Sequence, residues 1–228
     1  MYNMLLKRVP IFSSFNEDEL ERLAKLCVQR TTPRDHVILV AEEVGDTLFI
    51  ISHGSVKVSY VSESGREVIL SILKKGDFFG ELSLLDGKTR SANITTLEQT
   101  DLLLIRRGDF LHLIEEFPNI AIGLLRVLAQ RIRAADLQIA SVTLQDAMGR
   151  VASAIVHVAE KTGRPRGDSV IIPKLPIQQD LASMAGTARE TISRVMTEFE
   201  EKGFIEKEGH RVVIPDFAKF KRTYTTVK

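Results

Sequence analysis

The apolar residues of the chain change their spacing at Pro118, and this change constrains the fold more than any other feature of the sequence. Before Pro118, apolar stretches of four to seven residues alternate with turn signals such as Lys75-Gly76-Asp77 and Asp86-Gly87. Short runs separated in this way predict an antiparallel β-roll rather than alternating strands and helices. The predicted strands are residues 37–40, 47–51, 55–60, 67–72, 91–95 and 101–105, after a short helix at 17–28.

After Pro118 the pattern is that of one long helix. Its apolar residues recur at intervals of three and four, at Leu125, Leu128, Ile132, Ala135, Ile139 and Val142. Such a heptad seam is typical of a helix that pairs with a second copy of itself, so we expect a homodimer. A helix that lies on its own β-roll would show a similar stripe, and a monomeric mass in solution would favour that alternative.

We expect the long helix to be interrupted by the glycine of the segment Asp146-Ala-Met-Gly-Arg150. A second apolar helix at 151–161 and a Gly/Pro/Arg-rich loop at 162–168 then follow. The fold class is therefore α+β, with three predicted parts. They are a β-roll at 1–117, a dimerisation helix at 118–145 and a winged helix-turn-helix domain at 146–228.

The charges favour a nucleic-acid partner for the last of these parts. Residues 1–145 carry 17 basic and 19 acidic side chains, whereas residues 146–228 carry 14 and 11. A basic excess in the C-terminal third is what a DNA-binding surface requires.

The composition also excludes several kinds of protein. With Cys27 as the single cysteine, neither a disulfide framework nor a cysteine-rich zinc or iron–sulfur site can form within one chain. Haem is unsupported, because His36, His53 and His112 are isolated histidines of the kind that are usually structural. We see no nucleophile–base pair, metal-spaced set or P-loop, so we do not expect an enzyme. Without a membrane-length apolar run or a signal peptide, a cytoplasmic protein is expected.

A helix-turn-helix pattern occupies residues 177–195. Two helices that cross through a tight turn need a small residue at the crossing and a residue that tolerates positive φ at the turn. Ala182 and Gly186 meet these needs, while Ile192 and Val195 would hold the second helix from inside. An ordinary helical hairpin would have the same pattern, so the steric argument alone does not decide for DNA.

The polar face of the second helix favours DNA recognition. Arg189, Glu190 and Arg194 project together. Arginine donates a fork of hydrogen bonds to guanine, and glutamate accepts from cytosine, in the major groove. Residues 203–214 then predict two strands, which would form a wing.

A second motif lies in the β-roll, at residues 76–92. Gly80 allows a close backbone approach, and the residues after it are long enough for one helical turn whose free N–H groups would face an anion. Arg90 and Ser91, at the start of the next predicted strand, can add a guanidinium fork and a hydroxyl. Glu81 would suit a sugar hydroxyl. The alternative is that Glu81 and Arg90 form a buried structural ion pair in a roll that binds nothing.

Taken in order and spacing, these motifs resemble the cAMP receptor protein/FNR family of transcription regulators over essentially the whole chain. The resemblance implies a homodimer with an effector, such as cAMP or another cyclic nucleotide, bound in each β-roll. The residues it implies for the effector are Gly80, Glu81, Leu82, Ser83, Arg90 and Ser91. Arg189, Glu190 and Arg194 would read TGTGA-like half-sites of a palindrome in double-stranded DNA. The residues near the DNA backbone would be Gln178, Gln179, Thr191 and His210, and RNA polymerase is a further expected partner.

One departure from the family pattern bears on the effector. In cAMP-responsive members the long helix offers a Thr followed by Ser or Asn to the adenine, and Ala135 and Asp136 occupy those positions here. A regulator with a non-cAMP effector, or one active without ligand, therefore stays open. So does a cyclic-nucleotide sensor that acts on a protein partner, which would show no salt-sensitive DNA binding.

Overall fold

The structure, a computed structural model, describes residues 2–63 and 65–225, and within these it describes the backbone alone for residues 141–143. The chain divides into two compact units, one up to Arg133 and one from Ala134 onward. The division lies inside the long helix, so the domain limits given above stay predictions.

The first unit begins with a short helix, a single 3₁₀ turn and a second helix, and then consists mainly of strands. The helices are α1 (Asn3–Leu6), α2 (Glu17–Leu26), α3 (Glu81–Asp86) and α4 (Arg107–Glu116), with α5 (Asn119–Leu144) starting after them. The strands are β1 (Val28–Thr32), β2 (Val37–Leu39), β3 (Thr47–His53), β4 (Ser55–Val61), β5 (Glu67–Lys74), β6 (Phe78–Phe79), β7 (Asn93–Thr96) and β8 (Thr100–Arg106).

These strands form two antiparallel sheets, in the orders β1-β8-β3-β6 and β2-β7-β4-β5. Strand β3 explains how the roll is filled, because its apolar run is buried on both faces. Leu48 and Ile50 belong to the core under the helices, whereas Phe49 and Ile51 belong to the core between the two sheets. Alternate side chains of a strand point to opposite faces, so an unbroken apolar run suits a strand covered on both sides.

The prediction of a β-roll is confirmed, with differences at the ends of elements. The first helix was expected to reach Val28 but ends at Leu26, and β1, which was not predicted, starts at Val28. Within the described residues, strand β1 pairs with β8 alone and is mostly exposed, so it lacks the apolar signal of the buried strands. Strand β7 begins at Asn93 rather than at Ser91.

Helix α5 has two apolar faces. Ile120 and Leu124 are buried in the core of the roll, and Leu128, a predicted seam residue, packs partly against the same core. Leu125, Ile132 and Ile139 are by contrast 66%, 62% and 67% exposed. The helix therefore lies on its own roll through Ile120, Leu124 and Leu128, and it exposes large apolar side chains of the predicted seam. The side chain of Val142, the last predicted seam residue, lies outside the description.

The expectation that a glycine breaks the long helix was wrong. Helix α5 ends at Leu144, and α6 (Ala147–Thr162) begins after Asp146. The carboxylate of Asp146 accepts a hydrogen bond of 2.8 Å from the backbone N–H of Gly149, which makes Asp146 an N-cap. Gly149 lies in the first turn of α6, where a Cβ would lie 3.2 Å from the carbonyl oxygen of Tyr224. Glycine at this position therefore lets α6 pack closely against the backbone of Tyr224.

The second unit is a winged helix-turn-helix. Its elements after α6 are β9 (Arg164–Arg166), β10 (Ser169–Ile172), α7 (Gln178–Ala185), α8 (Arg189–Glu201), β11 (Glu206–Glu208), β12 (Arg211–Ile214) and α9 (Phe217–Tyr224). The strands pair in the antiparallel order β11-β12-β10-β9. The segment 162–168 was predicted as a loop, but it contains β9, an exposed edge strand. Because β9 has no run of apolar residues, the sequence pattern did not predict it.

No helix in the part of the chain that the structure describes is both long and apolar enough to cross a membrane.

Candidate functional site

Gly80 starts the cassette, by which we mean residues 76–92. It follows β6 with a φ of 82° and begins α3. A Cβ at this position would lie 2.9 Å from the carbonyl oxygen of Thr47 and 2.8 Å from Nη1 of Arg90. Both the left-handed backbone and the close approach therefore require glycine.

Arg90 is the buried centre of the cassette, with 6% of its surface exposed. Its Nη1 donates to the carbonyl oxygen of Gly80 at 2.7 Å and to Oγ of Ser83 at 2.8 Å. Its Nη2 donates to the carbonyl oxygen of Thr47 at 2.9 Å. Burial lowers the pKa of the guanidinium, against the raising effect of Asp46 and Glu81. Among the described residues, Nε of Arg90 is one of three buried side-chain polar atoms without a hydrogen-bond partner.

Glu81 pairs with the long helix rather than with Arg90. Its side chain is 2% exposed, and its Oε1 lies 2.7 Å from Nη1 of Arg131 on α5. Arg131 also donates to the carbonyl oxygen of Phe78 at 2.6 Å. Burial raises the pKa of Glu81, against the lowering effect of Arg131 and Arg90. The structural ion pair between Glu81 and Arg90 that was considered above is thus replaced by two separate sets of contacts.

The other predicted effector residues have different surroundings. Ser83 is buried against Arg90, whereas Leu82 and Ser91 are exposed. Ser91 precedes β7, which corrects its predicted place in that strand, because pairing with β4 begins at Asn93 and pairing with β2 begins at Ile94. Ala135 and Asp136 are exposed residues of the second unit.

The candidate DNA-reading residues lie on α8 and at the start of α7. Arg189, Glu190 and Arg194 are exposed, while Ile192 and Val195 of the same helix are buried. The separation of polar and apolar faces expected from the sequence is confirmed. Nothing in the described part of the chain holds the three polar side chains firmly, since the one recorded contact is a 3.4 Å hydrogen bond from Nε of Arg189.

The predicted backbone-contacting residues lie around the same helix. Gln178, the acceptor of the contact from Arg189, is half-buried, and Gln179 beside it is exposed. Thr191 is half-buried in the first turn of α8, and His210 is exposed in the turn of the wing between β11 and β12.

The turn between α7 and α8 has the predicted geometry. Gly186 is left-handed, with a φ of 58°, and its backbone N–H caps α7 by bonding to the carbonyl of Ala182. Ala182 is 1% exposed at the crossing. Arg150 supports this turn from α6, because its Nε donates to the carbonyl oxygen of Ala185 at 3.1 Å. Its Nη1 donates to the carbonyl oxygen of Gln145 at 3.0 Å, between α5 and α6.

Arg131, which contacts the cassette from α5, was not among the predicted residues. A signal for it exists, because Arg131 follows Leu124 and Leu128 by seven and three residues and so shares the helix face that packs on the roll. In the described residues no group of His, Cys, Asp and Glu is arranged to hold a metal ion.

Two family models match the chain. The cyclic nucleotide-binding domain matches residues 29–117, and the Crp-like helix-turn-helix domain matches residues 149–223. The first match contains the cassette, and the second contains α7, α8 and the wing.

Curated relatives cover nearly the full length. A CRP-like cAMP-activated global transcriptional regulator of Mycobacterium tuberculosis is 32% identical over 96% of this chain and 97% of its own. The cyclic AMP receptor protein of Thermus thermophilus is 32% identical over 88% and 89%. The fold is also that of a CooA mutant from Carboxydothermus hydrogenoformans, with a TM-score of 0.79, 22% identity and coverage of 97% and 95%. The chain belongs to the cAMP receptor protein/FNR family, and it is a transcription regulator with a DNA-binding helix-turn-helix rather than an enzyme.

Proposed function

We propose that this regulator binds a cyclic nucleotide in the cassette and, as a homodimer, reads a palindromic DNA site with its two α8 helices. The observation that carries the ligand half of the proposal is the unpartnered Nε of Arg90 in a buried site. A buried donor without an acceptor costs free energy, so a phosphate oxygen that accepts from it would gain more than it could at the surface.

The remaining cassette residues suit the rest of a cyclic sugar-phosphate. The hydroxyl of Ser83 accepts a hydrogen bond from Arg90, so Ser83 would lie beside the bound phosphate. Glu81, buried and held by Arg131, is a fixed acceptor for a ribose hydroxyl. Gly80, Leu82 and Ser91 would line the same site.

The effector's base is the open part of the proposal. The two relatives are named for cAMP, which favours cAMP as the first ligand to test. Ala135 lacks a hydroxyl for the adenine, and the carboxylate of Asp136 accepts hydrogen bonds but does not donate them. A different cyclic nucleotide, or activity without ligand, is therefore the alternative outcome.

Dimerisation through α5 would cover the exposed seam. Leu125, Ile132 and Ile139 are large apolar side chains spaced seven residues apart, and each is more than three-fifths exposed in the single chain. Knobs-into-holes packing against a second copy would remove them from water. In such a dimer, ligand would shift a pre-existing equilibrium towards the state in which the two α8 helices lie roughly 34 Å apart, one DNA turn.

On DNA, Arg189, Glu190 and Arg194 would contact base edges in TGTGA-like half-sites, because their exposed face is the polar face of α8. Gln178, Gln179, Thr191 and His210 would contact phosphates and fix the register. RNA polymerase is the expected protein partner of the bound dimer, and the cytoplasm is where these partners meet.

The ligand half is tested by calorimetry of the purified protein against cAMP, cGMP and cyclic dinucleotides. We expect one of them to bind, and Arg90→Ala to abolish that binding. The matched control is Arg66→Ala, since Arg66 is an exposed arginine of the same unit. If none of the ligands binds, or if Arg90→Ala binds as tightly as the unaltered protein, the cassette is only a scaffold.

The DNA half is tested by fluorescence anisotropy with a palindromic TGTGA-containing duplex and a scrambled duplex. We expect binding that prefers the palindrome and that falls steeply between 50 and 200 mM salt, as it does for proteins that contact about six to ten phosphates. Absence of salt-sensitive binding, with the ligand bound, would favour a sensor that acts on a protein partner.

A further inference from the structure

The loop of residues 40–46, between β2 and β3, lies against Arg90. The backbone N–H of Glu42 donates to the carbonyl oxygen of Arg90 at 2.8 Å, and the backbone N–H of Arg90 donates to the carbonyl oxygen of Glu43 at 2.8 Å. The main chain of the cassette arginine is thus paired on both sides with this loop. The sequence marks Gly45 in this loop as a turn signal, but neither of the two motifs, at residues 76–92 and 177–195, includes the loop.

Within the loop, Gly45 faces the guanidinium of Arg90. A Cβ on Gly45 would lie 1.9 Å from Nε, 2.1 Å from Cζ and 2.4 Å from Nη2 of that side chain. All three distances are far below van der Waals contact. The aromatic ring of Phe49 also lies near the guanidinium, 6.0 Å from Cζ to its centroid. The observed position of Arg90 therefore exists only while residue 45 has no side chain.

Backbone conformation does not explain this glycine. Nine other glycines have positive φ, but Gly45 is not among them, and the positive φ in this loop belongs to Glu42, at 70°. An alanine could adopt the backbone of Gly45 without strain. What requires glycine at this position is the space that Arg90 occupies.

The hydrogen bonds of Arg90 indicate which of its N–H groups remain available to a ligand. Nη1 uses both of its hydrogens, on the carbonyl of Gly80 and the hydroxyl of Ser83, and Nη2 uses one, on the carbonyl of Thr47. Of the five N–H groups of a guanidinium, the one on Nε and the second one on Nη2 are left. These two lie on one edge and form the fork that binds two oxygens of a phosphate.

We propose that Gly45 is the positioning residue of the cassette, whose missing side chain lets Arg90 present its Nε and Nη2 edge to the phosphate of a cyclic nucleotide. This inference rests on the function proposed above. Gly45 does not touch the ligand in this account. It acts through Arg90 alone, and that dependence is what the experiment measures.

The first measurement needs no ligand. In ¹⁵N-labelled protein, the Nε–H signal of Arg90, identified by its loss in Arg90→Lys, should exchange slowly with water because the group is buried. Gly45→Ala should shift this signal or make its exchange fast. Gly108→Ala is the control, since Gly108 also lacks a positive φ and a Cβ there would meet nothing within 4 Å; it should leave the signal unchanged. Fast exchange in the unaltered protein would overturn the proposal even if Gly45→Ala did not fold.

The second measurement is a double-mutant cycle on the affinity for cAMP, or for cGMP if cAMP does not bind. Gly45→Ala should weaken binding at least tenfold in the otherwise unaltered protein. In the Arg90→Lys background it should weaken binding less than twofold, because the group it displaces is no longer there. An equal loss in both backgrounds, or no loss, would refute the role of Gly45. If neither nucleotide binds, the proposed ligand fails, while the exchange measurement still decides whether Gly45 positions Arg90.

Discussion

The cassette and the polar face of α8 carry their charged residues in opposite ways. In the cassette, Arg90 and Glu81 are almost fully buried, and the chain itself supplies most of their hydrogen-bond partners. On α8, Arg189 and Arg194 are exposed, and within the described part of the chain they make one side-chain hydrogen bond, from Nε of Arg189 at 3.4 Å. One region has its charges preorganised, and the other leaves its charges free for a partner outside the chain.

This difference predicts which substitutions should affect folding stability and which should affect binding alone. A buried charge that loses its partner is costly, because desolvation is no longer compensated. An exposed charge that is removed costs little folding free energy. Substitutions in the cassette should therefore change the unfolding free energy and ligand binding together. Substitutions on the face of α8 should change DNA binding alone.

The largest effect on stability is expected from Arg131→Met. This change leaves Glu81 buried without its ion-pair partner, although Arg90 stays nearby, and it leaves the carbonyl of Phe78 without the hydrogen bond from Arg131. We expect a loss of about 2–3 kcal/mol of unfolding free energy, below the range for a fully buried pair because Arg131 is 35% exposed. Urea denaturation measures this, with Arg126→Met as the control, since Arg126 is an exposed arginine of the same helix.

The same variant gives a pH dependence of defined sign. The pKa of Glu81 is raised above its ordinary 4.5 by burial and partly restrained by Arg131. Without Arg131 it should rise further, so the folded protein binds the proton more tightly than the unfolded chain does. Stability then falls as pH rises from 4.5 through the folded pKa. The cost of Arg131→Met should accordingly be small at acidic pH and full near neutrality, and a cost independent of pH would contradict the account.

A smaller effect is expected at the turn before α8. Gly186 has a φ of 58°, and a Cβ there would meet nothing within 4 Å, so Gly186→Ala tests backbone strain alone. We expect a loss of about 1–2 kcal/mol. Gly186→Asn should lose less, because asparagine tolerates the left-handed region. Equal losses for the two variants, measured by urea denaturation, would show that side-chain packing rather than φ matters at this turn.

Much of the fold was predictable because its signals are local. Apolar runs predict the buried strands, and Ala182 and Gly186 predict the turn between α7 and α8. Strands β1 and β9 were missed because they are exposed and have no such run. Asp146 was read as part of a break made by glycine, whereas its side chain caps α6. Whether an aspartate caps a helix depends on which backbone N–H its carboxylate reaches. The spacing of residues in the sequence does not show this.

For the candidate sites, the sequence suggested residues but not the contacts that they make. Arg90 and Glu81 were assigned to one motif, yet Glu81 pairs with Arg131, which lies 50 positions away in the chain. A contact between distant segments has no local pattern. The exposed face of α8 was easier to predict, because its residues lie within two turns of one helix. The role proposed for them requires exposure, which amphipathic spacing gives.

The smallest effect on stability, and the sharpest test of the comparison, is expected from Arg189→Ala. Because Arg189 is exposed and its side chain makes a single weak hydrogen bond, to Gln178, among the described residues, the unfolding free energy should change by less than about 0.5 kcal/mol. Binding to the preferred half-site should weaken by about 1–3 kcal/mol, and discrimination should be lost at one base position only. Competition anisotropy with duplexes substituted at each base measures this, and Gln179→Ala, which should weaken binding to all duplexes alike, is the control.

If Arg189→Ala instead destabilised the fold as much as Arg131→Met does, the charges of α8 would be held by the chain after all. The contrast between a preorganised cassette and a free reading face would then be lost.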